Sequence, residues 1–387
     1  MSTTVLGRFG LVRMSGRDPR QQHRVASSLE LFFDLVFVIA VSQASQNLHH
    51  GIVEGHAMAT VLAYAMIFFA IWWAWMNFTW FATSFDTDDW LYRVVTFVQM
   101  GGVLVLAAGV EPAFVDGDFI VLVLAYVVMR VAMVAQWLRA SRRAGPAREA
   151  TLRYAGGIAL VQVLWLGMLL LDGPIATVVL VGLIAAEISV PVLAERRGQT
   201  PWHAHHITER YGCFTLILLG ESLLASATAI IGALHAEEEL TGLIAIAVLT
   251  LVVTAALWWV YFWPPHHESI GALKDSLSYG YGHYFVFAAA GAFSAGVEVE
   301  IDVLTGHSAL DELAASFTVT VPIAVFLLGV WLVAIRKSGD RVVDLAVLAA
   351  AALVLLDPLI PIPFAITAVV MAALVAVLVV REVRAPD

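Results

Sequence analysis

The sequence predicts an all-α membrane protein of about twelve transmembrane helices, arranged as two parallel six-helix repeats with both termini cytoplasmic. Composition is the first observation: 60% of the 387 residues are hydrophobic, 13% are charged, and mean hydropathy is +0.86. A soluble domain carries roughly twice that charge. Second, the apolar residues fall into runs of about 20, the length that crosses the hydrocarbon core of a bilayer. Third, Lys and Arg are sorted between alternate loops. The single cysteine, Cys213, excludes a disulfide framework and any CxxC centre.

The elements follow in order along the chain. Residues 1–26 are polar and basic, with Arg8, Arg13, Arg17, Arg20 and Arg24, and lack the apolar core and cleavage site of a signal peptide. They read as a retained cytoplasmic tail. Spans are expected at about 27–48, 57–82, 91–112, 118–139, 150–171 and 174–194 in a first repeat, 27–194. A cytoplasmic linker, 195–209, leads to the second repeat, 210–387, with spans at about 210–234, 240–263, 280–300, 312–335, 341–357 and 360–381. Asp172-Gly-Pro174 and Asp357-Pro358 mark tight turns between hairpin-coupled spans.

With the N-terminus inside, the cytoplasmic face receives the tail, Arg139 to Arg153, Arg196, Arg197, Arg210, Lys274, Arg336, Lys337, Arg341, Arg381 and Arg384. The opposite loops hold His49, His50, Glu54, Asp116, Asp118 and Glu237 to Glu239, without Lys or Arg. Arg130 is the exception, near the middle of its span. This fits a polytopic membrane protein with one consistent orientation.

At an offset of 187 residues, Asp34 falls on Glu221, Trp72 on Trp259, and Leu106-Ala-Ala-Gly-Val-Glu111 on Phe293-Ser-Ala-Gly-Val-Glu298. The offset suggests the two repeats, and six spans per half give both halves the same orientation. It also singles out acids, because ionisable groups in hydrocarbon are normally turned inward and paired or functional. Asp34 lies about 12 Å into its span at 1.5 Å per residue, and Glu30 one turn earlier on the same face. Arg130 reaches a similar depth of about 13 Å, so an Asp34–Arg130 pair is geometrically allowed. The plain alternative is a pair that only fixes helix register.

Asp34, Glu221, Arg130, Glu30, Glu111 and Glu298 are therefore the candidate ion or substrate pathway, with Glu187 a weaker candidate. Ser42, Ser45, Gln46 and Asn47 continue the polar side of the first span, with Gln43 nearby. Trp72, Trp73, Trp75 and Trp80, and Trp258, Trp259 and Trp263, read either as interfacial belts or as a wall around a cation or apolar ligand. In the second case Trp72, Trp259 and Gln43 would line a cavity. Trp202-His-Ala-His-His206 reads as a cytoplasmic loop of solvated histidines, since no acid or cysteine completes a ligand spacing. No nucleotide-binding or hydrolase motif stands in a credible context, and no cofactor, metal or nucleic-acid partner is expected.

Two segments carry a resemblance. Glu30-Leu-Phe-Phe-Asp-Leu-Val-Phe-Val38, close behind the basic tail, is similar to the N-terminal signature of the bacterial low-temperature-requirement A family. Glu209-Arg-Tyr-Gly-Cys-Phe-Thr-Leu-Ile-Leu-Leu-Gly-Glu-Ser222 resembles its second signature. The resemblance covers essentially the whole chain and implies a multi-pass plasma-membrane protein without stating an activity.

The leading functional expectation is an ion- or proton-coupled secondary transporter or permeation protein with paired carboxylates at the repeat interface. Its partners would be the bilayer and protons, monovalent cations or a small-molecule substrate. Two alternatives stand beside it. One is an intramembrane acid-catalysed enzyme acting on a lipid or isoprenoid, which would place an acid in a closed apolar cavity. The other is a non-catalytic stress scaffold or sensor.

Overall fold

A computed structural model describes residues 10–21, 24–196, 198–236, 241–308, 310–360 and 364–384. Arg8, Arg197, Glu237, Glu238 and Glu239, and residues 361–363 of the last expected span, lie outside the described residues.

The chain is all-helical among the described residues. Its α-helices are α1 Ser28–Val53, α2 Ala57–Phe85, α3 Trp90–Ala108, α4 Val110–Val115, α5 Ile120–Ser141, α6 Arg148–Met168, α7 Gly173–Glu195, α8 Ala204–Ala236, α9 Thr241–Phe262, α10 Leu273–Leu304, α11 Glu312–Val333, α12 Arg341–Leu356 and α13 Ala365–Arg384. Among the described residues, eleven helical segments are long and apolar enough to cross a membrane, one fewer than the roughly twelve expected. The helix that falls short is α6, which carries Arg148, Glu149 and Arg153 in its first two turns. Its uncharged part, Tyr154–Met168, spans about 22 Å, less than the ~30 Å hydrocarbon core.

Starts are chemically marked. Ser27 and Glu30 form a reciprocal capping box at α1: Ser27 N donates to Glu30 Oε2 at 2.8 Å and Glu30 N to Ser27 Oγ at 3.3 Å. Asp89, Asp311 and Asp340 cap α3, α11 and α12 by accepting from backbone N–H groups of the first turn. The expected third span, to 112, breaks earlier: α3 ends at Ala108, and the short α4 carries Glu111.

The helices belong to two compact units. Unit 1 comprises residues up to Ala40 and Trp73–Arg210; unit 2 comprises Val41–Trp72 and Tyr211 onward. Within unit 1, α3 packs on α5, α5 on α6 and α6 on α7. Within unit 2, α9 to α13 pack in succession, and α13 closes back on α9. α10 and α11 approach closely at Gly296. A Cβ on Gly296 would stand 2.6 Å from the Thr318 carbonyl carbon and 2.9 Å from the Val319 nitrogen, so only glycine admits the neighbouring backbone.

The described part of the basic N-terminal segment, residues 10–21 and 24–27, makes contacts at the α2–α3 corner of unit 1. Val12 N donates to Asp89 Oδ2 at 2.9 Å, and Arg139 holds the same carboxylate while donating to Val12 O at 3.0 Å. Arg17 N donates to Ser84 O at 2.9 Å. Buried Arg24 donates to the Ala82 and Thr83 carbonyls, capping the C-terminus of α2 with a cation.

Candidate functional site

Unit 1 contains a sealed charge cluster made by two i, i+4 pairs. Glu30 and Asp34 share a face of α1, and His206 and Arg210 share a face of α8. Arg210 Nε donates to Asp34 Oδ2 at 2.9 Å and its Nη2 to Asp34 Oδ1 at 2.5 Å, while Nη1 lies 3.2 Å from Glu30 Oε1. His206 Nε2 stands 3.2 Å from Glu30 Oε2. Trp75 Nε1 donates to Asp34 Oδ1 at 2.7 Å. Exposure is 0% at Asp34, His206 and Arg210 and 1% at Glu30, so these are fully desolvated partners. Beside them, outside the spans, burial pushes the Asp86 carboxyl up to about 6; the negative charge of Glu30 adds to this, and the Arg17 guanidinium, 3.4 Å away, opposes it.

A second buried pair in unit 1 involves Arg130. Its Nη2 lies 3.0 Å from Glu187 Oε2, Trp73 Nε1 donates to the same oxygen at 2.8 Å, and the guanidinium carbon sits 5.2 Å from the Tyr126 ring centroid. Arg130 is thus paired with Glu187, and the expected Asp34–Arg130 pair is corrected: Asp34 takes Arg210. Trp73 and Trp75, expected to be belt or wall residues, are buried indole donors to the two carboxylates.

Sequence alone sets Arg210 at the cytoplasmic start of the span expected from 210 and the histidines of Trp202–His206 in a solvated loop. Helix α8 starts earlier, at Ala204, so Arg210 lies within it and not at its first residue, and the solvated-histidine reading is corrected. His203 and His206 are buried, and only His205 is exposed. His203 acts as the cap of α8: its Nδ1 accepts from His206 N at 3.2 Å, which leaves Nε2 to donate to Gln21 O at 2.8 Å.

Unit 2 contains a polar cavity of about 330 Å³. α1 supplies Ser42, Gln46, His49 and His50; α8 supplies Glu221, Leu224, Ala225, Thr228 and Ala229; α10 supplies Glu298, Ile301 and Asp302. His49 bridges two of the acids, with Nε2 2.8 Å from Asp302 Oδ2 and Nδ1 3.3 Å from Glu298 Oε2. Glu221 is 7% exposed, and among the described residues its carboxylate receives no hydrogen bond. Every charged lining side chain other than histidine is a carboxylate. No group of three or more His, Cys, Asp or Glu among the described residues is arranged to hold a metal ion.

The remaining candidates disperse. Glu111 is exposed on α4. Gln43 is half-exposed and donates to Gln46 Oε1 at 3.2 Å. Trp72 is buried in unit 2 against Tyr284, with ring centroids 5.4 Å apart, whereas Trp259 is 37% exposed. A larger groove of about 670 Å³ in unit 2, between parts of α1, α2, α10 and α11, has no carboxylate among its lining residues.

Apolar spanning helices, buried ion pairs and an acid-lined cavity define a multi-pass helical membrane protein. The chain matches the model of the bacterial low temperature requirement A protein family (LtrA) over residues 25–380 and belongs to that family. It is also similar to an uncharacterized protein of Rhizobium meliloti (strain 1021), 28% identical over 260 residues, 65% of this chain and 61% of that protein. The chain's match thus spans about three-fifths of the length of that curated relative.

Proposed function

We propose that this LtrA-family protein is an ion- or proton-coupled permease of the plasma membrane, and that the cavity of unit 2 carries the translocated charge. The observation behind this reading is Glu221. A carboxylate nine-tenths buried, without a hydrogen-bond donor and open to a cavity, keeps its capacity to take up a proton or a cation. Glu298 and Asp302 raise the negative potential there, and His49 offers a titratable bridge between them. Asp34 has a different part in this reading. Its oxygens are already occupied by Arg210 and Trp75, so it anchors α1 to α8 and does not exchange its ligand. The sorting of Lys and Arg supports cytoplasmic placement of the N-terminal segment.

Purified protein in liposomes tests the proposal. A pH or monovalent-cation gradient should drive flux that Glu221→Gln and Glu298→Gln abolish, while Glu111→Gln leaves it unchanged. Undiminished flux in both cavity variants would overturn the assignment.

A further inference from the structure

The cavity also specifies its ligand. We infer that it is a binding site for a primary alkylammonium ion, with Glu221 as the counter-ion; this rests on the permease reading and names the substrate class of the same site. Four features converge. The lining has Glu221, Glu298 and Asp302 but neither Lys nor Arg, so the charge it selects is positive. Its volume of about 330 Å³ lies in the range of small-molecule pockets, roughly 300–1,000 Å³, and far exceeds a bare ion. Among the described residues no group of three or more His, Cys, Asp or Glu is placed to hold a metal ion, so the site offers no such ligand set. One wall is apolar: Leu224, Ala225 and Ala229 follow Glu221 along α8 at helical spacing, with Ile301 on α10.

The ligand therefore has a charged head and a short apolar body. The type of head follows from what the lining offers. Quaternary ammonium groups are recognised by aromatic faces, and the lining contains no Trp, Tyr or Phe. It offers acceptors for N–H groups instead: the unpartnered Glu221 carboxylate, the Ser42 and Thr228 hydroxyls and the Gln46 amide oxygen. A primary ammonium has three donors to distribute among them. Pairing with Glu221 removes the cost of that buried carboxylate, so binding is strongest for the ligand that supplies both charge and N–H.

The test is calorimetric titration of the full-length protein in nanodiscs with n-butylammonium. Saturable binding is expected. Equal concentrations of tetramethylammonium, n-butanol or potassium should displace it at least about tenfold less effectively than n-butylammonium itself. Glu221→Gln should weaken it by at least about tenfold, Thr228→Val by a few-fold, and Glu111→Gln not at all. The competition series on the unmodified protein decides the matter even where Glu221→Gln does not fold. Absence of saturable binding, displacement by potassium as effective as by n-butylammonium, or unchanged affinity in a folded Glu221→Gln protein would overturn the inference. Glu221-dependent proton or cation flux without n-butylammonium binding would sink the ligand class and leave the permease reading standing. Glu221-dependent binding without flux under any gradient would sink the permease reading and leave the site standing.

Discussion

Asp34 and Arg210, 176 residues apart in the chain, meet as a fully buried two-bond ion pair, one on α1 and one on α8. Taking both charges out of solvent is costly, and their attraction offsets that cost only while the geometry is complete. Removing one partner leaves the other buried and uncompensated. Asp34→Asn should therefore destabilise the protein by about 3–5 kcal/mol, read as a lower unfolding temperature in detergent. Asp34→Asn with Arg210→Gln should cost less than the sum of the single changes. A strictly additive pair would refute the coupling.

The indoles of α2 make a second prediction. Trp75 and Trp73 each donate to a buried carboxylate, Asp34 and Glu187 respectively. Trp→Phe keeps most of the ring but removes the N–H. Since a hydrogen bond to a charged group contributes about 1.5–3 kcal/mol, each variant should lose an amount in that range. Trp258→Phe, at a 43% exposed position, should change stability by less than about 0.5 kcal/mol. Equal effects at all three positions would mean that ring volume, and not the donor, matters.

These residues also show how far the sequence could be read. Apolar runs located the long helices, and Glu30, Asp34 and Glu221 stood out because an acid in such a run is costly. Partner choice was not legible. Sequence position gives height along a helix but not the direction a side chain faces, so Arg130 matched Asp34 in depth while its guanidinium reaches Glu187. Arg210 and His206 were missed because the apolar run begins after them, although α8 starts at Ala204. The available signal was the i, i+4 spacing of His206 and Arg210, which mirrors that of Glu30 and Asp34. The Trp cluster was visible, but nothing in its spacing said which indole would meet a carboxylate. The His49 bridge joins residues about 250 positions apart, and the packing of α1 on α10 inside unit 2 brings them together.

Gly296 tests the helix packing of unit 2. A methyl group there would press on the Thr318 peptide, which is backbone and cannot rotate away. Gly296→Ala should cost about 1–3 kcal/mol through overpacking, despite alanine's better helix propensity. Gly182→Ala, in α7 with open space around its Cα, should instead be neutral or stabilising by up to about 1 kcal/mol. Thermal unfolding of the two variants checks the contrast; a stabilising Gly296→Ala would contradict the close approach.

Asp86 makes stability depend on pH in the N-terminal segment. Its carboxyl is raised to about 6 from an ordinary 3.8, mainly by burial. The folded protein thus favours the protonated acid. The stabilisation is complete below pH 3.8 and is lost as pH rises toward 6, by on the order of 3 kcal/mol. Relative to Asp86→Asn, the wild-type protein should lose stability between pH 4 and 6 and show no further trend above that. Limited proteolysis after Arg13 or Arg17 should follow the same profile if the loss is local to the segment.

His266 predicts the opposite slope. It stands outside the spans, between α9 and α10, in a buried hydrogen-bond network in which the Tyr261 carbonyl, an acceptor only, fixes Nε2 as the donor. Nε2 donates to Tyr261 O at 2.6 Å, and Nδ1 accepts from the Tyr279 hydroxyl at 3.1 Å. Protonating Nδ1 would replace that acceptor with a second donor. Burial likewise disfavours the charged ring and pulls His266 down to about 4 from an ordinary 6.5. The folded protein therefore favours neutral imidazole: the stabilisation is complete above pH 6.5 and is lost as pH falls toward 4, by on the order of 3 kcal/mol. His266→Gln retains an amide donor and a carbonyl acceptor but cannot titrate. Its unfolding temperature should be lower than wild type at pH 7, and the gap should narrow as the pH falls to 4. A gap that stays constant between pH 7 and 4 would show that His266 does not titrate against the fold, and that the Tyr279 hydroxyl does not depend on a neutral ring.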